Sequence, residues 1–192
     1  MRKFFINTYT FGKDLFISPI AFFRKMPITE GIRGATYFAL VMYFIRSSVF
    51  FLASWQQGYF FDPRFQAIPP VTVAAFAAIS LIPFLLLLIL YSQSIFLYRI
   101  SNFFGGAGNL EAAYKVLAFV LLISLFSLVP YIGLLFHLYA ILVLILAVRE
   151  VFNIDWISSI LALFFSFVFT AVLYVLFMFL PLYALHMIQI PL

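Results

Sequence analysis

Residues 71–98 read VTVAAFAAISLIPFLLLLILYSQSIFLY and contain no charged side chain. The stretch exceeds the roughly 20 residues that an α-helix needs to cross the hydrocarbon core of a bilayer. Further apolar stretches occupy residues 35–55, 113–129, 131–148 and 157–185. Runs of this length and composition are typical of transmembrane helices. The sequence therefore predicts an all-α integral membrane protein with a bundle of five transmembrane helices.

The composition excludes several classes of protein. Only 9% of the residues are charged, against roughly 25% in an average soluble domain. The chain has no Cys, which excludes disulfides and Cys-based sites. It also lacks the spacings of metal ligands and of hydrolase nucleophiles, and no basic face with stacking aromatics suggests nucleic acid. We expect no enzymatic activity, no metal site, no cofactor and no nucleic-acid partner.

Most of the positive charge lies on one side of the predicted membrane domain, and the other side has only Arg64 beside Asp62. Lys and Arg cluster before the first stretch, between the second and third, and after the fourth, at Arg2, Lys3, Lys13, Arg24, Lys25, Arg33, Arg99, Lys115 and Arg149. By the positive-inside rule this side is cytoplasmic. We expect a cytoplasmic N-terminus, an external loop at residues 56–70 and an external C-terminus. The lipid bilayer is the expected partner, with anionic headgroups attracted to the cytoplasmic side.

The chain divides into three predicted parts. Residues 1–34 form a cytoplasmic segment, residues 35–185 the transmembrane domain and residues 186–192 a short external tail. Within the first part, Ser18-Pro19 is a helix-start signal, with the Ser18 hydroxyl as N-cap and Pro19 at the first helical position. Apolar residues follow it, so we expect an interfacial amphipathic helix that lies on the inner leaflet. It either anchors the first span or docks a partner.

Short connections join the last three predicted spans. Residues 128–133 must turn the chain sharply, which predicts an antiparallel hairpin of the third and fourth spans. Asn109 and Asp155 stand just before the third and fifth spans, where their side chains can cap the first helical turn.

A polar layer is predicted near the middle of the membrane. Arg46 lies about 16 Å into its span at 1.5 Å per residue, and Pro83 frees a backbone carbonyl at a similar depth. Counting from the ends of the other spans places several polar side chains at that level: Ser80, Ser124, Ser127, His137, Ser166 and Thr170. These residues form hydrogen bonds between helices, or Arg46 and His137 line a cavity for an anion or lipid headgroup. A third alternative is an Arg46 that reaches the lipid interface.

A second candidate site lies at the cytoplasmic face. Gly105, Gly106 and Gly108 precede the third span, and a glycine-rich turn can bind phosphate with its backbone N–H groups. No Lys-Ser or Lys-Thr pair follows, so the glycines are also explained by close packing of the loop. The charged residues Glu111, Lys115, Arg149 and Glu150 are predicted to cluster there, where they exchange salt bridges or recognise a partner.

Several short motifs resemble the Yip domain family of Ypt/Rab-interacting, five-span membrane proteins. They are SPIAFF at 18–23, GGAG at 105–108, EAAYKVL at 111–117, VPYIG at 129–133 and AVREV at 147–151. The resemblance implies a helical membrane domain with a cytoplasmic N-terminus. Eukaryotic members are implicated in vesicle traffic, Rab binding and membrane shaping, whereas prokaryotic members have no settled activity.

The chain also departs from the family pattern. It lacks the Asp-Leu-Tyr-Gly-Pro signature of the trafficking members, and Phe152 and Asn153 follow where the family usually has a His-Gly pair. These departures and the short N-terminal region favour a prokaryotic-type member in a bacterial plasma membrane. The predicted function is non-enzymatic: the protein organises membrane lipids, or recruits a protein partner or a second copy of itself. The alternative is a small transporter or channel with a polar site around Arg46 and His137.

Overall fold

The computed structural model describes the backbone of residues 12–26, 31–56, 71–129 and 131–188, and side chains within 12–26, 31–49, 51–52, 81–129 and 131–176. The described chain is helical and contains no strand. Its helices are α1 (12–17), α2 (Pro19–Lys25), α3 (Arg33–Gln56), α4 (Val71–Phe103), α5 (Leu110–Leu125), α6 (Gly133–Phe152) and α7 (Trp156–Ile188), with a 3₁₀ turn at Phe126–Leu128 after α5. The predicted all-α class is confirmed. The predicted external loop and the end of the tail lie outside the described residues.

Four helices of the described part are long and apolar enough to cross a membrane. Their candidate spans are Leu81–Phe103, Leu110–Leu128, Gly133–Phe152 and Trp156–Leu176. Helix α3 has the length of a span and packs against α4 and α5, but it is not among the candidate spans found in the described residues. The count of five spans is therefore not confirmed by length and composition alone.

Helix α5 lies at the centre of the bundle. Among the four candidate spans it is the most buried, and it contacts α3, α4 and α6. Small side chains allow this close packing, because helices in lipid associate through van der Waals contact rather than through the hydrophobic effect. Five alanines in α5, α6 and α7 are fully buried: Ala112, Ala113, Ala118, Ala147 and Ala162.

The bundle has two distinct ends. We call the end formed by the connections 104–109 and 153–155 the basic end, and the end formed by residues 126–129 and 131–132 the hairpin end. At the basic end, the Asn109 side chain accepts a hydrogen bond from the backbone N–H of Ala112 at 2.8 Å, and the Asp155 carboxylate accepts one from the N–H of Ile157 at 3.0 Å. Both predicted caps are confirmed. Hydrogen bonds from Ser158 and then from Ile157 lower the pKa of the Asp155 carboxyl.

The N-terminal segment, residues 12–26, packs along the side of the bundle. The Tyr139 hydroxyl donates a hydrogen bond to the Phe16 carbonyl at 2.5 Å, whereas Arg24 forms an ion pair with Glu150. Tyr139 and Glu150 lie about 16 Å apart along α6 at 1.5 Å per residue. The segment thus follows more than half the length of α6, and the predicted position on the membrane surface is not confirmed. Ser18 occupies the N-cap position of α2, but its hydroxyl makes no capping hydrogen bond.

Candidate functional site

A cavity of about 320 Å³ lies within the bundle, and its wall contains residues from all five long helices, α3 to α7. Most of the lining is aliphatic, contributed by α4, α5 and α6, with Phe167 from α7. The polar lining residues are Tyr43, Arg46, Gln93, Ser124 and His137. A predominantly apolar pocket with a few convergent polar groups is the usual form of a small-molecule site.

Arg46 brings the only formal charge among these lining residues. It is exposed, and it forms no hydrogen bond or ion pair with another described residue. Its position in α3 is about 20 Å from Arg33, at 1.5 Å per residue, which places it far from the basic end. In a helix that crosses a membrane, an arginine at such a depth is costly without a compensating group, because a charge near the bilayer centre loses its hydration.

His137 lies on the same cavity wall, one turn after the start of α6. It is exposed, like Arg46. Ser124, near the end of α5, joins them on the lining. The structure therefore places three residues of the predicted midplane group, Arg46, Ser124 and His137, around one cavity in the hairpin half of the bundle.

The other predicted members of this group lie elsewhere. Thr170 is absent from the cavity lining, and its hydroxyl donates to the Ser166 carbonyl of its own helix at 2.8 Å. Ser80 lies in α4, outside the described side chains. The Ser124 hydroxyl donates to the Leu121 carbonyl at 2.9 Å, also within one helix. Hydrogen bonds between helices were predicted for these hydroxyl groups. Among the described residues, the Ser166 hydroxyl makes such a bond and donates to the Gln93 carbonyl at 3.5 Å.

The sequence analysis did not predict two of the residues that line the cavity. Tyr43 and Gln93 are both buried, with 8% of each residue exposed. Tyr43 precedes Arg46 by three residues, a spacing that places two side chains on the same helical face, so this signal was available. Gln93 stands between Ser92 and Ser94, and the sequence does not show which of the three faces the bundle interior.

The candidate residues at the basic end form contacts with other residues of the same chain. A Cβ atom built on Gly108 would lie 2.4 Å from the Phe152 ring, and one on Gly106 would lie 2.8 Å from the Ser101 carbonyl oxygen. The backbone N–H of Ala107 donates to the Phe152 carbonyl at 2.9 Å. These contacts seat the glycine-rich loop on the end of α6, with Gly105 at a positive φ of 83°.

The charged residues at this end are also paired within the chain. The Lys115 ammonium donates to Glu111 at 2.7 Å, and the guanidinium of Arg24 donates to Glu150 at 2.8 Å. Arg149 lies over the Trp156 ring, 4.8 Å from its centroid, a cation–π contact. The predicted cluster thus exists as separate pairs, and Glu150 is bound to the N-terminal segment.

The family model of the Yip1 domain matches residues 13–180. The match includes α2 to α6, most of α7, and every lining residue of the bundle cavity. The chain belongs to the Yip1 domain family. No curated protein and no solved structure matches it. As a Yip1 domain it is a helical membrane protein, and the cavity lies within the matched domain.

Proposed function

We propose that this Yip1 domain is a non-enzymatic membrane protein that organises lipids by binding an anionic amphiphile in the bundle cavity. The single observation that carries the proposal is the cavity wall itself, where Arg46 and His137 face a predominantly aliphatic surface. An amphiphile with a phosphate or carboxylate head matches this combination. Its head is attracted to the guanidinium, and its apolar part contacts the leucines of α4, α5 and α6 together with Val120.

The electrostatics favour an anion over a neutral ligand. A guanidinium presents its N–H groups in a fork that fits the oxygen atoms of phosphate and carboxylate. In an apolar cavity the attraction between opposite charges is screened less than in water. An anion beside Arg46 therefore offsets the cost of holding that charge within the membrane. Gln93 and Ser124 add polar atoms on the same wall.

The proposal is tested by adding dodecyl phosphate as a ligand to the purified full chain in a neutral maltoside detergent. We expect it to raise the melting temperature of the wild type, with dodecanol as the uncharged comparison. In Arg46→Leu we expect affinity for dodecyl phosphate to fall about tenfold or more, as when a charge-assisted hydrogen bond is lost. Arg99→Leu removes an arginine that does not line the cavity and is the matched control. Equal affinity in the two variants, or equal binding of dodecanol and dodecyl phosphate, would overturn the proposal.

Transport is the alternative function of the same cavity, supported by its position among all five long helices. Proteoliposomes loaded with a radiolabelled alkyl phosphate separate the two functions. Arg46-dependent flux across the bilayer supports a transporter, whereas binding without flux supports lipid organisation. Recruitment of a protein partner has less support, because Glu111, Lys115 and Glu150 already have partners within the chain.

We also propose that α3 is a fifth span, that the basic end is cytoplasmic and that the protein lies in a bacterial plasma membrane. Helix α3 has 24 residues, enough to cross the membrane at 1.5 Å per residue. Arg24, Arg99, Lys115 and Arg149 lie toward the basic end, which supports a cytoplasmic location for it under the positive-inside rule. An odd number of spans then places the C-terminus outside.

A further inference from the structure

A second cavity lies in the half of the bundle toward the basic end, whereas Arg46 lies in the other half. It has a volume of about 610 Å³ and is bounded by the N-terminal segment, the start of α3 and α5. One wall carries Asp14, Ser18 and Lys25 of the N-terminal segment, and the wall from α5 carries Lys115 and Phe119. The site proposed above does not use this cavity.

Among the described residues of this cavity, positive and negative groups nearly balance. Lys115 is buried with 4% of the residue exposed, and its ammonium already binds Glu111 at 2.7 Å. One cation, Lys25, and one anion, Asp14, remain on the wall of the N-terminal segment. Neither forms an ion pair with another described residue. A ligand that carries both a negative and a positive group complements such a wall better than a simple anion does.

The depth and the lining indicate where the ligand comes from. Lys115 lies about 8 Å along α5 from Leu110, at 1.5 Å per residue, so the cavity reaches from the basic half of the bundle toward the lipid headgroups on that side. Ala21, Phe22, Met26 and Phe119 supply an apolar part of the lining. A molecule in this cavity therefore meets charged groups and apolar groups together, as the headgroup and glycerol region of a phospholipid does.

Two glycines leave this space open. A Cβ atom built on Gly31 or on Gly34 would have no heavy atom within 4 Å, although both residues line the cavity. Gly31 has a positive φ of 79°, so its backbone conformation already explains why this residue is glycine. Gly34 has no such φ and lies within the first turn of α3, where another residue would stabilise the helix more. The absence of a side chain at Gly34 keeps the cavity accessible.

We propose that this cavity binds the headgroup of a zwitterionic phospholipid with a primary amine, of the phosphatidylethanolamine type. Lys25 attracts the phosphate, and the Asp14 carboxylate accepts hydrogen bonds from the ammonium group. A choline headgroup has the same charges but no N–H donor, so it binds less tightly. This site is independent of the Arg46 cavity and does not rest on the function proposed for it.

Short-chain lipids in a maltoside detergent test the proposal on the full chain. We expect dioctanoyl phosphatidylethanolamine to raise the melting temperature more than dioctanoyl phosphatidylcholine or phosphatidylglycerol. Asp14→Asn should remove the preference for ethanolamine over choline. Lys25→Gln should weaken both about tenfold or more, the effect of losing a charge-assisted contact to phosphate.

A cavity-filling variant provides a separate test. Gly34→Phe places a ring in the open space and should abolish binding of the ethanolamine lipid. Val41→Phe adds the same ring at an exposed position of α3 and is the matched control. Arg46→Leu should retain the ethanolamine preference, which separates this site from the first cavity. Equal affinity for ethanolamine and choline lipids in the wild type, or unchanged binding in Lys25→Gln and Gly34→Phe, would overturn the proposal.

Discussion

At the scale of single residues, close contacts explain the glycine-rich loop better than ligand binding does. Gly108 faces the ring of Phe152, which is fully buried. A buried ring at the end of α6 has little space to move, because protein interiors are close-packed. The loop therefore requires a residue without a side chain at this position.

We expect Gly108→Ala to destabilise the protein by about 1–3 kcal/mol, the usual cost of overpacking. Gly34→Ala is the matched control, since its new methyl group would meet no atom within 4 Å. The free energy of unfolding in mixed detergent micelles measures both effects. A Gly108→Ala variant as stable as Gly34→Ala would show that the loop does not pack tightly on Phe152.

Capping is a residue-scale feature that local sequence predicts well. Asn109 and Asp155 were expected to cap α5 and α7, and each accepts a hydrogen bond from the first turn of its helix. Such a cap depends on residues two or three positions away, so distant parts of the chain do not alter it. Ser18 shows the limit, because its hydroxyl makes no cap although Pro19 follows it; its backbone N–H donates to the Asp14 carbonyl at 2.9 Å and joins α2 to α1.

We expect Asn109→Ala to lower the free energy of unfolding by about 1 kcal/mol, the typical value of an N-cap. Asn109→Asp should preserve most of it, since Asp is an equally good N-cap. The same micelle titration compares the two variants. If Asn109→Asp were destabilised as much as Asn109→Ala, the cap would not be the cause.

At the scale of elements, the N-terminal segment is held on α6 by contacts that are far apart in sequence. Phe23 is buried, and Phe16 packs edge-on to Phe136 with ring centroids 6.5 Å apart. The Arg24 side chain is 69% exposed, whereas that of Glu150 is 14% exposed. The ion pair thus adds to an aromatic contact between the same segment and α6.

We expect the Arg24–Glu150 pair to contribute about 0.2–1 kcal/mol, as exposed ion pairs do. Arg24→Ala and Glu150→Ala should each raise hydrogen exchange in residues 19–26, and the double variant should add little to either. Lys13→Ala, which removes an exposed charge from the same segment, is the control. Fully additive effects of the two substitutions would contradict the pairing.

At the scale of the whole molecule, the sequences of the spans carry little information about which helix faces pack against each other. An amphipathic helix reveals its buried side by its apolar stripe, but spans of this chain are apolar all round. Exposed large side chains such as Leu85, Leu134 and Phe164 are as apolar as buried ones. The sequence analysis therefore found Arg46 and His137 but overlooked Tyr43 and Gln93.

Membrane orientation is testable at this scale because the chain has no native Cys. Ala107→Cys and Val129→Cys place single thiols at exposed positions of the basic end and the hairpin end. We expect a membrane-impermeant maleimide to label Val129→Cys in intact cells, and Ala107→Cys only after permeabilisation. The reverse pattern would invert the proposed orientation, and labelling of both from one side would show that α5 does not span.

The sequence by itself determined the class of protein, the helices and the family. Long apolar runs have only one stable conformation in lipid, a helix that satisfies its own backbone hydrogen bonds, and the caps follow from neighbouring residues. Only the tertiary structure decided that Glu150 meets Arg24, that the N-terminal segment follows α6, and that all five long helices converge on one cavity. These contacts depend on the shapes of packed side chains. Lipid solvates every apolar helix face equally well, so composition alone does not predict which faces pack against each other.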